Sequence, residues 1–308
     1  MTLLLTHPAC LEHLTPSGHP ERPDRLRAVD QVLAEDRFNR LVRDEAPEGS
    51  LDLVTLCHNE HYVSELRRIA PSSGLVYLDG DTSMSPGTWE AVMRGVGGAV
   101  AATDAVMTGT HANAFVAVRP PGHHAEISKP LGFCFFDNAA IAARHAQRRY
   151  GITRTAVVDF DVHHGNGTQD IFWADRTVMY CSTHQMPLFP GTGASGERGE
   201  HDTIVNAPLA PEDGGPKFRA AFENVILPQL KKFNPELIII SAGFDAHYLD
   251  PLASLNLKAE DFGWVTHRLM DVADSSAGGR VVSVLEGGYD LEGLKESVAA
   301  HVTALMGA

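Results

Sequence analysis

A single α/β domain on a mostly parallel central sheet, with helices on both faces, is the fold class that this 308-residue sequence predicts. Three observations predict it. Short β-branched runs alternate with helical patterns along the chain. Ile238, Ile239 and Ile240 in succession mark a strand covered on both faces. No break in composition divides the chain, so residues 1–308 read as one domain although the length admits two.

The elements follow in order. Leu26, Val29 and Leu33 recur at helical spacing and predict a helix over 25–33. Residues 71–87 and 186–199 are glycine- and proline-rich and read as loops. Loops longer than ~12 residues inside a compact domain usually carry function. The pattern over 89–107 is apolar nearly all round, as a buried helix is, and Gly95, Gly97 and Gly98 permit close packing. Strands are expected at 114–118, 155–160, 177–182, 237–241 and 280–285. Further helices are expected at 138–150, 217–233, 259–273 and 291–306.

Composition excludes several function classes. Hydrophobic residues make up 44% and charged residues 21%, ordinary values that set disorder, collagen and coiled coil aside. Lys and Arg number 25 against 39 Asp and Glu, a net charge of −14, and such a surface repels phosphate. Direct nucleic-acid binding is therefore not expected. Cys10, Cys57, Cys134 and Cys181 lie far apart with no CxxC pair, which argues against a disulfide framework and a cysteine zinc knuckle. Leu3 to Leu5 is a short apolar run without a basic leader, and no stretch approaches the roughly 20 apolar residues that span a bilayer. A cytoplasmic protein without a membrane partner is expected, its oligomeric state open.

The chemistry lies just beyond the expected strands. Strand 114–118 runs into Arg119-Pro120-Pro121-Gly122-His123-His124, and strand 155–160 into Asp161-Val162-His163-His164-Gly165-Asn166-Gly167. Strand 237–241 is followed by Ala242-Gly243-Phe244-Asp245, and strand 280–285 by Glu286-Gly287-Gly288-Tyr289. In open parallel sheets ligands bind outside the C-terminal strand edge. Asp161 and His163 are two apart, and a period-two backbone aims both side chains the same way. With Asp245 they form a donor set for a borderline divalent metal with a position left open, as catalytic zinc has. An isolated Asp-x-His is more often a hydrogen-bonded loop pair; four strand ends carrying ionisable groups tip the balance. His123 and His124 supply acid–base groups, Asp159 is a candidate imidazole partner, and Tyr289 is a candidate oxyanion donor.

These residues resemble a known family. The segments 119–125, 132–135, 159–167, 189–193, 242–251 and 286–289, with His19-Pro20-Glu21-Arg22-Pro23, are similar in identity and order to the histone deacetylase superfamily, of the arginase–deacetylase fold. Asn166 and Glu286 make the chain most similar to class II and bacterial histone deacetylase-like amidohydrolases. The resemblance implies that Asp161, His163 and Asp245 bind Zn2+, for which Fe2+ or Co2+ can substitute on such ligands. It implies that His124 is the general base and acid, that His123 is an electrostatic helper on Asp159, that Asn166 partners His124, and that Tyr289 polarises the amide carbonyl. It further implies a substrate tunnel at Gly132, Phe133, Phe189, Leu252 and Gly288, and a K+ site at Asp159, Asp161, His163 and Ser182. Many family members carry Asp where this chain has Asn166, and a neutral amide supports an imidazolium less.

The expected activity is zinc-dependent removal of acetyl, or another short acyl group, from an amine, with acetyl-lysine or a small acetylated amine as partner. Three alternatives stand beside it. An acetylpolyamine deacetylase places an acidic gate at the mouth; Leu252, at one such position, is apolar, whereas Asp79 or Asp81 can substitute. An arginase-like manganese enzyme needs carboxylates where His247 and Gly165 stand. A non-catalytic binding protein does not explain why every catalytic position is filled.

Overall fold

The computed structural model describes residues 1–307. Its centre is an eight-stranded sheet of β1 (Thr2–Thr6), β2 (Val42–Glu45), β5 (Asn113–Val116), β6 (Thr155–Asp159), β7 (Val178–Ser182), β8 (Ile204–Asn206), β9 (Leu237–Ala242) and β10 (Val281–Leu285). The spatial order is β2-β1-β5-β10-β9-β6-β7-β8. Every neighbouring pair in this sheet is parallel, so each strand must return through a crossover. On one face α4 (Thr88–Met107) packs against α5 (Asn138–Tyr150). On the other, α1 (Asp24–Leu33), α10 (Leu291–Leu305), α9 (Ala259–Val272) and α8 (Leu227–Phe233) pack in succession.

Burial explains the strand sequences. All six residues of β9 are buried, which its continuous apolar run requires when helices cover both faces. Gly97 of α4 is dictated by a neighbour: a Cβ there would stand 1.9 Å from the Pro47 carbonyl oxygen. α7 (Gly215–Ala221) and α8 are joined by a π-helical turn over Phe222–Ile226, so the expected helix 217–233 is continuous.

Several elements lie where the sequence pattern gives no strong signal. Leu3, Leu4 and Leu5 form β1, hydrogen-bonded between β2 and β5. β2 is a largely exposed edge strand of sequence VRDE, and β8 is an edge strand of three residues. Neither has the length or alternation that marks a strand. The short helices α2 (Leu51–Val54), α3 (Glu60–Ile69) and α6 (Asn166–Phe172) are likewise additional. The segment 71–87 is not all loop, since β3 (Val76–Tyr77) pairs antiparallel with β4 (Ser83–Met84). Among the described residues no helix is long and apolar enough to cross a membrane.

Candidate active site

Strand order makes the site. β5, β10, β9 and β6 are consecutive neighbours, so the segments that leave their C-terminal ends converge on one sheet edge. Those segments carry His123 and His124, Glu286 to Tyr289, Asp245, and Asp159 to His163, respectively.

At the floor lie Asp161, His163 and Asp245, all buried, each offering a ligand atom within 4.8 Å of the others. β6 ends at Asp159, and the chain beyond it bends rather than staying extended. A turn, not a period-two pleat, therefore brings the two side chains together, correcting the sequence expectation. Asp161 Oδ1 accepts the main-chain N–H of His163 at 2.9 Å, and its own distance to His163 Nδ1 is 3.1 Å. Asp245 Oδ2 lies 3.0 Å from the same nitrogen. Both carboxylates are fixed by main-chain donors: Val162 N–H to Asp245 Oδ1 and Gly287 N–H to Asp161 Oδ2, each 2.8 Å. A Cβ on Gly287 would stand 2.3 Å from Asp245 Oδ2, so only glycine allows this approach.

The charge balance of this floor suits a cation. Burial works against a charged His163, yet hydrogen bonds to Asp161 and Asp245 hold its pKa up at about 10. Burial and the nearby Asp161 push Asp245 up to about 7. Two carboxylates around one imidazole nitrogen thus retain positive charge, as a proton or as a metal ion. Asp2His is a borderline donor set that suits Zn2+, Fe2+ or Co2+, and the residues present fit a single divalent cation.

The consecutive histidines differ in their partners. His123 Nδ1 is 2.9 Å from Asp159 Oδ2, and its Nε2 is 3.8 Å from Asp161 Oδ2. Burial opposes its charge, but Asp159 and Asp161 outweigh that and hold its pKa well above the usual imidazole value. His124 Nδ1 is 2.8 Å from Asn166 Oδ1. Burial, then the neighbouring His123 and His163, hold its pKa well below the usual value. Asn166 starts α6 and also donates from Nδ2 to Glu126 Oε1 at 2.7 Å, which fixes its amide so that Oδ1 faces His124.

Tyr289 closes the other side. Asp250 Oδ2 accepts the main-chain N–H of Tyr289 at 2.7 Å, and Asp290 caps α10 by accepting from Gly293 N–H, so the tyrosine is held at a helix start. The Arg25 guanidinium lies 4.8 Å from the centre of its ring. Burial pushes the phenol pKa well above its usual value despite that guanidinium, so the hydroxyl keeps its proton.

A cavity of about 230 Å³ opens onto this machinery, lined among others by His124, His163, Tyr289, Phe133, Phe189 and Leu252. Gly132 also lines it at φ +54, and a Cβ there would stand 2.5 Å from His124 Cδ2. Gly288 does not line it, contrary to expectation. It packs behind, against Leu294 and Phe244, and its carbonyl accepts from Arg25 Nε at 2.5 Å. Leu188 and Asp81 complete the wall. Leu188 carries no sequence signal beyond its neighbour Phe189. The roles of Arg25 and Asp250 were equally illegible, because each acts through main-chain groups distant in sequence.

Comparison with known proteins agrees with this geometry. The histone deacetylase domain family matches residues 19–305. A probable deacetylase of Archaeoglobus fulgidus is 39% identical across 95% of this chain and 82% of its own. A histone deacetylase-like amidohydrolase of Pseudomonas aeruginosa is 38% identical across 89% and 73%, respectively. The crystal structure of the HDA15 HD domain superposes with a TM-score of 0.94 at 34% identity, covering 99% of this chain and 88% of that one. This chain belongs to the histone deacetylase family.

Proposed function

We propose that the chain, as one catalytic domain over residues 1–308, is a zinc-dependent amidohydrolase that removes acetyl or another short acyl group from an amine. The side chain of acetyl-lysine is the preferred substrate in this reading. The observation that carries it is that His124, His163 and Tyr289 line one narrow cavity walled by Phe133 and Phe189. An uncharged alkyl chain fits between the two rings and delivers its amide to the floor.

A divalent cation held by Asp161, His163 and Asp245 supplies Lewis acidity toward a carbonyl oxygen and a water molecule. The protein's own groups do the rest. His124, kept neutral by burial and by its histidine neighbours, accepts the proton of the attacking water. Tyr289 donates its hydroxyl to the oxygen that becomes negative. His123, charged on Asp159, favours that same negative charge, and the proton on His124 passes to the departing amine nitrogen. In the same reading K+ is held beneath the floor by Asp159, Asp161, His163 and Ser182, all four buried, and takes no part in proton transfer.

Deacetylation of small polyamines is the second reading, and Asp81 favours it. A carboxylate in the cavity wall suits a distant ammonium, whereas Leu252 in the same wall does not. The test is one panel of acetyl-lysine peptides, acetylated polyamines and longer acyl-lysine peptides, run before and after chelation. Acetate release, fastest from the peptides and abolished by chelation until Zn2+ is returned, is the expected result. Undiminished hydrolysis after complete chelation, or none with Zn2+ bound, overturns the reading.

A further inference from the structure

The tandem histidines need their main chain held as firmly as their rings, and a buried carboxylate from another strand lies against it. Glu286, fully buried at the end of β10, places Oε2 2.7 Å from the N–H of Gly122 and 3.2 Å from the N–H of His123. On the next peptide, the carbonyl of His123 accepts from Gly167 N–H at 3.0 Å and Thr168 N–H at 3.2 Å, at the start of α6. Only glycine fits at position 122, since a Cβ there would stand 2.8 Å from both Asn138 N and the Phe136 carbonyl oxygen. The two peptides that flank His123 are therefore each held, the preceding one by Glu286 and the following one by α6. His124 follows directly, its Nδ1 2.8 Å from Asn166 Oδ1.

We infer that Glu286 is a positioning residue for the proposed reaction, fixing His123 and His124 over the cavity floor through the two N–H groups that its Oε2 accepts. This rests on the amidohydrolase reading and assigns Glu286 a task apart from proton transfer. The Glu286 carboxyl does not line the cavity and makes no hydrogen bond to Asp161, His163 or Asp245, and its Oε1 has no hydrogen-bond partner. Burial pushes its pKa up to about 8. What the two N–H groups require of Glu286 is an acceptor oxygen. A misplacement of ~1 Å at reacting groups costs about a hundredfold in rate, which gives such a clamp its leverage.

Glu286→Gln keeps an acceptor oxygen at this place, while Glu286→Ala removes it and leaves two buried donors unpaired. With turnover expressed per bound metal, Glu286→Ala is expected to lose kcat by about tenfold or more with KM within about threefold of wild type, and Glu286→Gln to retain at least about a third of kcat. Equal kcat per bound metal in Glu286→Ala overturns the inference, as does a Glu286→Gln variant slowed by more than about tenfold. The second outcome remains readable if the alanine variant does not fold. The imidazole NMR resonances of His123 and His124 give a readout independent of turnover. They are expected to move in Glu286→Ala and to stay near wild type in Glu286→Gln; unmoved resonances in the alanine variant overturn the inference. If wild type hydrolyses no acyl-amide, the amidohydrolase reading fails while the resonances still judge the clamp.

Discussion

His123 and His124 are adjacent in sequence with ring centres 4.0 Å apart, yet one faces the Asp159 carboxylate and the other the Asn166 amide. That difference separates their protonation: the carboxylates hold His123 charged, and burial together with this charge keeps His124 neutral. Two histidines whose environments push their pKa values apart can divide electrostatic and acid–base work.

Asn166→Asp tests that division. A carboxylate on His124 Nδ1 raises the pKa of the imidazole. A base must be unprotonated, so activity rises with pH through that pKa, and raising it moves the acidic limb to higher pH. We expect a displacement of about one unit in the kcat/KM profile of Asn166→Asp. A limb that stays in place removes His124 as the base.

Tyr289→Phe keeps the ring between Phe133 and Arg25 but deletes the hydroxyl. Loss of one oxyanion donor typically costs about two to three decades in kcat, and that is the expected fall. Wild-type turnover on an acetyl-lysine peptide excludes the assigned role.

Metal analysis separates the proposed enzyme from a binuclear one. One Asp2His cluster, Asp161, His163 and Asp245, is present among the described residues, so ~1 divalent ion per chain is expected by mass spectrometry of the metal-loaded protein. Two ions per chain would reverse the choice.

Leu252→Glu probes substrate choice. A carboxylate in the partly exposed cavity wall pairs with a distal ammonium, worth up to ~1 kcal/mol, or about fivefold in relative kcat/KM for acetylated polyamines over acetyl-lysine peptides. An unchanged ratio argues that Leu252 does not face the distal part of the substrate.

His301, behind the site, is one of the buried histidines that contribute to acid stability. It is fully buried at the edges of Phe115, Phe160 and Phe244, of which the last two directly precede Asp161 and Asp245 in sequence. Thr266 donates its hydroxyl to the Phe262 carbonyl and therefore accepts from His301 Nδ1–H at 2.6 Å, while Nε2 accepts from Ser283 at 2.8 Å. Burial holds its pKa down at about 3 against 6.5 for an ordinary histidine. The folded state keeps His301 neutral while the unfolded chain protonates it, so its contribution is complete above the unfolded value and is lost as pH falls below it. At about pH 5 the loss is about 2 kcal/mol. Urea unfolding at about pH 7 and pH 5 is expected to show wild type losing about 2 kcal/mol more than His301→Gln between the two.

The residues of the site were legible because chemistry writes strong local signals. His123-His124, Asp161-x-His163, Asp245 and Tyr289 each stand just past a β-branched run, and the structure places all of them at that sheet edge. The supporting contacts were not legible. Arg25 reaches the carbonyls of Glu286 and Gly288, Asp250 reaches the N–H of Tyr289, and Glu286 reaches those of Gly122 and His123. A main-chain donor or acceptor has no letter of its own. Short edge strands escaped for a related reason: β2 and β8 are defined by pairing with β1 and β7 rather than by any pattern of their own.

Periodic elements, apolar strand interiors and ionisable groups at strand ends can be read from the amino-acid order, since these depend on side-chain type and local spacing. It takes the packed fold to set β10 between β5 and β9, and β9 between β10 and β6. That order brings groups from residue 123 to residue 289 within reach of one cavity. It arises from how the helices cover the two faces of the sheet, a packing outcome that no window of sequence contains.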